Sequence, residues 1–292
     1  MKKPLLISGM ITLLAAAGFA QFGGGGRGRR GWGDSYDIPR TAREVESNST
    51  GTPTWTNPPA HQKDVFTFAR IAYSSYGGGR RRFGGGWRTD MPDSDLNLSW
   101  RLQQMTSMKV DPDGRVVRLT DPELKDFPFI YIVEPGSLYL SEEEATALRE
   151  YLLNGGFLML DDFWGDSEWD NCEEQLKKVF PNRSFEELKL DHPVYHCVFE
   201  IKTKGQVPNI DVGKRSEQSG VTWEYNHDGD TQTVHHKGIS DDKGRLMVMA
   251  THNTDNGDGW EREGESDYYF HNFSEKIAYP LGINIIFYAM TH

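Results

Sequence analysis

The feature that most constrains the fold is an alternation of short apolar runs with helical segments. Residues 129–133 and 157–160 are almost wholly apolar, as expected of strands buried on both faces. Between them, Ser141 to Glu144 form a capping box that begins a helix, and Asn154-Gly155-Gly156 ends it. A buried strand, a helix and a second buried strand predict a parallel sheet with a right-handed crossover connection.

The alternation extends along most of the chain. A helix should begin at Asp93 or Ser94 and place Leu96, Trp100 and Met105 inward. His235 and His236 are expected to be solvated on a surface hairpin. Further strands are predicted at 65–73, 116–119, 194–201, 221–225 and 246–251, and further helices at 167–179 and 277–290.

Charge restricts the partners. The chain carries 43 acidic against 32 basic residues, a formal net charge of −11. An acidic domain repels nucleic acid and anionic membrane surfaces, so we expect neither as a partner.

The first residues predict export. Lys2 and Lys3 precede an apolar run at 5–17, and small residues at 18 and 20 fit cleavage before Gln21. The alternative is a membrane anchor, but the run is shorter than the roughly 20 residues that a bilayer needs. We therefore predict a signal peptide at 1–20, a periplasmic or secreted location, and no integral membrane segment after cleavage.

Domain organisation follows from composition. Residues 21–62 are Gly/Arg-rich and then Pro-rich, which predicts a flexible lead-in, and residues 63–292 should form a single α/β domain. In an oxidising compartment Cys172 and Cys197 could form a disulfide, or they could be separately buried thiols.

Several segments together resemble one family, domain of unknown function 4159, over roughly residue 64 to the end. The resemblance implies a flavodoxin-like three-layer sandwich with a mostly parallel sheet, similar to class I glutamine amidotransferases and trehalose-utilisation proteins, and it implies no assigned activity. The segments are FTFARIAYS at 66–74, WRTDMPDSDLNL at 87–98, RLQQMT at 101–106, DDFWG at 161–165, DHPVYH at 191–196 and SEKIAYPLGINIIFYAMTH at 274–292.

The chain departs from the amidotransferase pattern at the nucleophile. Such enzymes carry a cysteine on a tight turn after the central strand, whereas this chain has Glu134-Pro135-Gly136-Ser137 there. Ser137 lacks the G-x-S-x-G frame of a nucleophile elbow. The sequence therefore predicts an amidotransferase-like domain without the catalytic cysteine.

Ligands of open parallel sheets bind beyond the carboxyl ends of the strands. Since neighbouring strand residues face opposite ways, only one of Asp161 and Asp162 should enter a cleft there. The alternative roles are helix capping for the aspartates and core packing for the tryptophans. The candidate ligand-binding residues are Trp87, Asp90, Asp161, Asp162, Trp164, Asp258 and Trp260.

We expect no cofactor, with a divalent metal ion as the one possible exception. His192 and His196 would share one side of a strand, and they join Asp162 and Asp258 as candidate ligands. The alternative is a turn in which these histidines contact backbone. Residues 80–82, three arginines between glycine triplets, could hold an anion or form a surface loop.

Two functions remain open. The first is a ligand-binding module of the cell envelope that recognises a partner protein or a carbohydrate. The second is a metal-assisted hydrolase that uses Asp162, His192 and Asp258. Convergence of the carboxylates and histidines on one point would favour the hydrolase, and separate capping roles would favour the binding module.

Overall fold

The computed structural model describes residues 38–61, 64–75 and 86–292. The predicted signal peptide at 1–20, most of the lead-in before residue 38, and the arginines at 80–82 lie outside these residues. These described residues form one compact unit.

Seven strands form the main sheet in the order β3-β1-β4-β6-β9-β8-β7, and β2 and β5 pair separately. The first five of these strands are parallel, β8 runs antiparallel to β9, and β7 pairs antiparallel with β8 at the edge. Counting only the parallel strands along the chain, their order is 2-1-3-4-5, the flavodoxin-like arrangement. The strands are β1 (Ala69–Ile71), β2 (Ser74–Ser75), β3 (Arg115–Val117), β4 (Phe129–Val133), β5 (Leu138–Tyr139), β6 (Phe157–Asp161), β7 (Glu186–Glu187), β8 (His235–Ser240) and β9 (Leu246–His252).

Helices cover both faces of the sheet. The predicted capping box of α2 is confirmed, because Ser141 accepts from the Glu144 amide while the Glu144 side chain accepts from the Ser141 amide. The helices are α1 (Asp93–Met105), α2 (Glu142–Leu153), α3 (Gly165–Val179), α4 (Ile210–Ser219), α5 (Asn256–Glu261), α6 (Asp267–Tyr269), a π-helix (Phe270–Ala278) and α7 (Tyr279–Thr291).

Alternate residues of the central strands supply two separate hydrophobic cores. On one face, Phe129 and Tyr131 pack with residues of α1 and α7. On the other face, Ile130 and Ile132 pack with residues of α2 and α3. The predicted α/β three-layer sandwich with a mostly parallel sheet is therefore confirmed. Among the described residues, no helix has the length and apolar character needed to cross a bilayer.

Two predicted strands were wrong. Residues 194–201 contain a single 3₁₀ turn at Pro193–Tyr195, because the His192 side chain accepts from the Val194 amide and begins a turn. Residues 221–225 are irregular. The cysteines are unpaired: Cys172 is buried in α3, and Cys197 is partly exposed.

Two burial predictions were also wrong. His236 is 1 % exposed, because the hairpin of β8 and β9 belongs to the main sheet, where β8 lies between β9 and β7 and His236 stacks on Tyr195. Met105 is 49 % exposed at the end of α1, whose inward face is formed by Leu98 and Leu102.

Candidate functional site

Among the described residues, four that are not glycine adopt left-handed backbone conformations, and all follow parallel strands of the sheet. Asp90 (φ 61°) precedes α1 in the connection after β1, and Glu134 (φ 48°), Asp162 (φ 56°) and Asn253 (φ 60°) directly follow β4, β6 and β9. Such conformations cost about 1–3 kcal/mol each and concentrate at functional sites. The strain therefore lies at the edge where flavodoxin-like folds bind ligands.

A polar pocket of about 380 Å³ opens at this edge. Its lining comes from the connection before α1, from the loops after β4, β6 and β9, and from the segment between α4 and β8. Most of its charged side chains are carboxylates. The lining residues are Thr89, Asp90, Glu134, Asp162, Trp164, Glu168, Asn209, Ile210, Asp211, Glu224, His227, Asp255, Asp258 and Arg262.

Three of these carboxylates converge. One oxygen from each of Asp90, Asp162 and Asp255 lies within 4.8 Å of the other two, and we call this set the acidic triad. Burial raises the pKa of each carboxyl well above its ordinary value, and repulsion from neighbouring carboxylates raises it further. Within the described part of the chain, none of the three forms an ion pair.

A second group of carboxylates also converges: one oxygen from each of Asp90, Asp258 and Glu261 lies within 4.8 Å of the other two. Arg262 supplies one positive charge to this group: its Nε lies 3.0 Å from Asp258 Oδ1 and 2.7 Å from Glu261 Oε2. Burial nevertheless raises the pKa of Glu261 to about 8. No member of the acidic triad forms an ion pair among the described residues. The Arg70 guanidinium, which is paired with Asp95, offsets only part of the rise in the pKa of Asp90.

Asp90 is placed against the backbone of α5. A Cβ atom at Gly257 would lie 2.2 Å from Asp90 Oδ2 and 3.1 Å from the Tyr131 hydroxyl. Glycine at 257 is thus required for this close approach. Asp90 Oδ2 is itself buried and has no hydrogen-bond partner among the described residues. A buried carboxylate oxygen without a partner is costly, and it points to a missing positive group.

A buried ion pair holds the chain that carries Asp90. Arg70, at the centre of β1, donates to both oxygens of Asp95. Its Nη1 also donates to the carbonyls of Trp87 at 3.0 Å and Thr89 at 2.9 Å. The segment immediately before Asp90 is therefore fixed to the sheet.

Asp161 has a structural role. Its carboxylate accepts from Thr251 Oγ1 at 2.5 Å, Asn256 Nδ2 at 2.8 Å, the Gly257 amide at 2.9 Å and the Tyr131 hydroxyl at 3.1 Å. These bonds tie β6 to the start of α5. Asp162 faces the pocket, as the strand alternation predicted for only one of the pair.

The tryptophans divide between pocket and core. Trp164 lines the pocket and donates from Nε1 to Asp162 Oδ1 at 3.3 Å, although it is only 1 % exposed. Trp260 is completely buried in the core beside Tyr131. Trp87 is partly buried and packs against core residues under the Arg88 guanidinium. No tryptophan of this set presents an open ring face to the pocket.

The predicted histidine ligands lie elsewhere. His192 packs against Tyr288, and His196 bonds to Glu200 and to the Leu190 carbonyl. Neither lines the pocket, because the strand expected to align them is a turn. Asp258 does line it, beside Asp162 of the predicted set.

A histidine that sequence analysis missed lies in the pocket instead. His227 Nδ1 is 3.4 Å from Glu168 Oε1, and its Nε2 is 3.6 Å from Glu224 Oε2. Burial alone would lower the pKa of His227, but these two carboxylates raise it to about 9. The imidazole is therefore protonated at neutral pH. It comes from an irregular loop without motif or periodicity, so no sequence signal identified it.

The turn after β4 carries a carboxylate and a hydroxyl, and both bond to neighbouring groups. Its left-handed residue is Glu134, whose carboxylate accepts from the Gly86 amide and from Thr89 Oγ1. Ser137 Oγ donates to the Glu134 carbonyl at 3.2 Å and lies 3.5 Å from the Tyr73 hydroxyl. A carboxylate thus occupies the position where the amidotransferase resemblance would place the nucleophile.

Fold and site together define a flavodoxin-like α/β protein with an acidic pocket at the carboxyl edge of its sheet. The chain belongs to the family described as domain of unknown function DUF4159, whose family model matches residues 67–290. A search of curated proteins found no match.

Proposed function

We propose that the acidic triad binds one divalent cation and that the protein is a cation-dependent hydrolase. The observation that carries the proposal is the convergence of three carboxylates that form no ion pair among the described residues, one of them with a buried oxygen that lacks any described hydrogen-bond partner. Carboxylate-only donor sets suit hard cations such as Mg²⁺, Mn²⁺ or Ca²⁺.

A bound divalent cation would supply Lewis-acid activation of water or of a substrate carbonyl or phosphoryl oxygen. The chain supplies the remaining groups. His227, protonated at neutral pH, can donate a proton to a leaving group within the same pocket. Glu168 and Glu224 hold the imidazole in place and keep it charged.

The binding module of the cell envelope, with a protein or carbohydrate ligand, stays a prediction. The pocket gives it less support than the hydrolase, because carbohydrate stacking needs open aromatic faces and Trp164 and Trp260 are almost fully buried.

Export to the periplasm or beyond also stays a proposal. It would place the site in a compartment where Ca²⁺ and Mg²⁺ are available.

Calorimetric titration of chelator-treated protein with Mg²⁺, Mn²⁺ and Ca²⁺ tests the cation site. We expect one site per chain in the wild type and a loss of at least about tenfold in affinity in Asp162→Asn and Asp255→Asn. Asp211→Asn is the matched control, because Asp211 is an exposed carboxylate on the rim of the same pocket. Equal affinity in all four proteins would reject the triad as the site.

Hydrolysis is tested separately with 4-nitrophenyl acetate and bis(4-nitrophenyl) phosphate, with and without the cation that binds. The hydrolase proposal predicts cation-dependent turnover that falls in His227→Gln while cation affinity is retained. Cation binding without turnover of either ester class would instead support the binding module.

A further inference from the structure

A second cavity, of about 410 Å³, shares no lining residue with the acidic pocket. The irregular segment 199–205 forms one wall, and residues of the π-helix and of the first turn of α7 form another. His236 of β8 also lines it. A nine-residue π-helix is unusual, and π-helical turns occur frequently at functional sites.

The buried histidine of this cavity has one unpaired nitrogen. His236 Nδ1 lies 3.0 Å from the Tyr195 hydroxyl, which has no other hydrogen-bond partner in the described part of the chain. We assign the hydroxyl as the donor to Nδ1 and the imidazole proton to Nε2, because the opposite direction would leave the Tyr195 O–H unpaired as well as Nε2. Nε2 is buried without a partner among the described residues, on a side chain that is 1 % exposed. An unpaired buried donor is costly, and a ligand acceptor would relieve that cost.

The rest of the cavity has an apolar wall and a positively charged edge. Ile201, Ile277 and Leu281 provide apolar wall. Lys202 and Lys276 are exposed at its edge and provide two ammonium groups. Glu200, the one acidic residue of the lining, is engaged by His196. A ligand that fits has an uncharged acceptor at one end, an apolar body, and an anionic group towards solvent.

We propose that this cavity binds an N-acylated amino acid with an apolar side chain, either free or as the carboxyl terminus of a peptide. Because His236 Nε2 has almost no accessible surface in the free protein, the ligand reaches it only with a shift of the cavity wall. The acyl or peptide carbonyl then accepts from His236 Nε2, the apolar side chain lies along Ile277 and Leu281, and the carboxylate lies between Lys202 and Lys276. A carbonyl suits the buried end because it only accepts hydrogen bonds, whereas a carboxylate buried beside a neutral imidazole would lack a counter-charge.

Calorimetry on the full chain with three probes tests the three contacts. N-acetyl-leucine should bind, N-acetyl-leucinamide should bind about threefold to tenfold more weakly because it lacks the carboxylate, and leucine should bind weakest because it lacks the acyl carbonyl. A blocked hexapeptide that ends in leucine distinguishes the sources. Binding of the peptide at least as tight as that of N-acetyl-leucine assigns the site to a protein terminus, and the reverse assigns it to a free acyl amino acid.

Two substitutions in the cavity and one outside it test whether the probe binds here. His236→Phe and Lys276→Ala should each weaken N-acetyl-leucine by about threefold to tenfold, and Lys243→Ala, an exposed lysine outside the cavity, should not. Because His236→Phe could disturb folding, imidazole ¹⁵N spectra of the wild type provide an independent measurement, in which the probe should shift the His236 Nε2 resonance. Unchanged His236 resonances up to about 10 mM probe, or equal binding of acid and amide, would overturn the proposal.

Discussion

Replacing Asp162 by asparagine should make the cation-free protein more stable while abolishing its stabilisation by cations. Two unit charges 4.8 Å apart repel by about 3.5 kcal/mol at an effective dielectric constant of about 20. Asp162 has two such neighbours, Asp90 and Asp255, and partial protonation of the triad relieves part of the repulsion. We therefore expect a gain of about 1–3 kcal/mol, equivalent to about 2–4 °C in Tm per kcal/mol for a domain of this size.

The backbone favours the same direction. Asp162 has φ 56°, and asparagine adopts this left-handed conformation more readily than most residues. The asparagine oxygen can still accept from Trp164 Nε1, so no hydrogen bond need be lost. The substitution thus removes charge with little change of shape.

Urea unfolding of chelator-treated protein, with and without the cation identified by calorimetry, measures both effects. At a cation concentration of one hundred times Kd, the wild type should gain about 2.7 kcal/mol, and Asp162→Asn should gain almost nothing. Asp211→Asn should keep the full cation response and change the cation-free stability by less than about 1 kcal/mol. A cation-free Asp162→Asn protein less stable than the wild type would refute the repulsion argument.

Three further outcomes are expected. Gly257→Ala should weaken cation binding at least about tenfold, since its Cβ would displace Asp90, and calorimetry checks this. Burial, with the charges of Lys204 and His235, lowers the pKa of His236 to about 3, so unfolding takes up a proton there below pH 6.5. Between pH 7 and 5 the wild type should therefore lose about 2 kcal/mol more stability than His236→Phe, measured by urea unfolding. Mature protein from a native host should begin at or near Gln21 by N-terminal sequencing, and an intact Met1 in envelope fractions would contradict cleavage of a signal peptide and favour a membrane anchor.

The fold was predictable because its signals are local. The apolar runs of β4, β6 and β9 and the Ser141–Glu144 capping box each identify an element from a few adjacent residues. The segments after α3 gave no such signal. Pro193 begins a 3₁₀ turn within what looked like a β-rich run, and the irregular residues 199–209 are fixed by distant groups such as Asn284, which bonds the Phe199 backbone.

Part of the site was predictable for the same reason. Asp162 and Asp258 follow recognisable strands, so strand-end reasoning placed them at one pocket. Asp255 was passed over because it sits in a loop dense in Asn and Gly, where turn formation is the ordinary explanation of polar residues. His227 was missed because only the tertiary fold brings it between Glu168 and Glu224.

The two clusters of carboxylates in the pocket, the one around Asp258 and the acidic triad, differ in how the protein accommodates their charge. Asp258 accepts from the Ile210 amide and from Arg262, so its charge is satisfied by the protein itself and serves to join α4 to α5. The acidic triad receives no such compensation from the described residues, and two of its members adopt strained conformations. Both costs oppose folding, and neither contributes a contact that the sheet requires. A cation that binds at the triad offsets the repulsion while the backbone stays as it is. Removing the Asp162 charge removes both the repulsion and a cation ligand, which is why stability and cation affinity should change in opposite directions when Asp162 is altered.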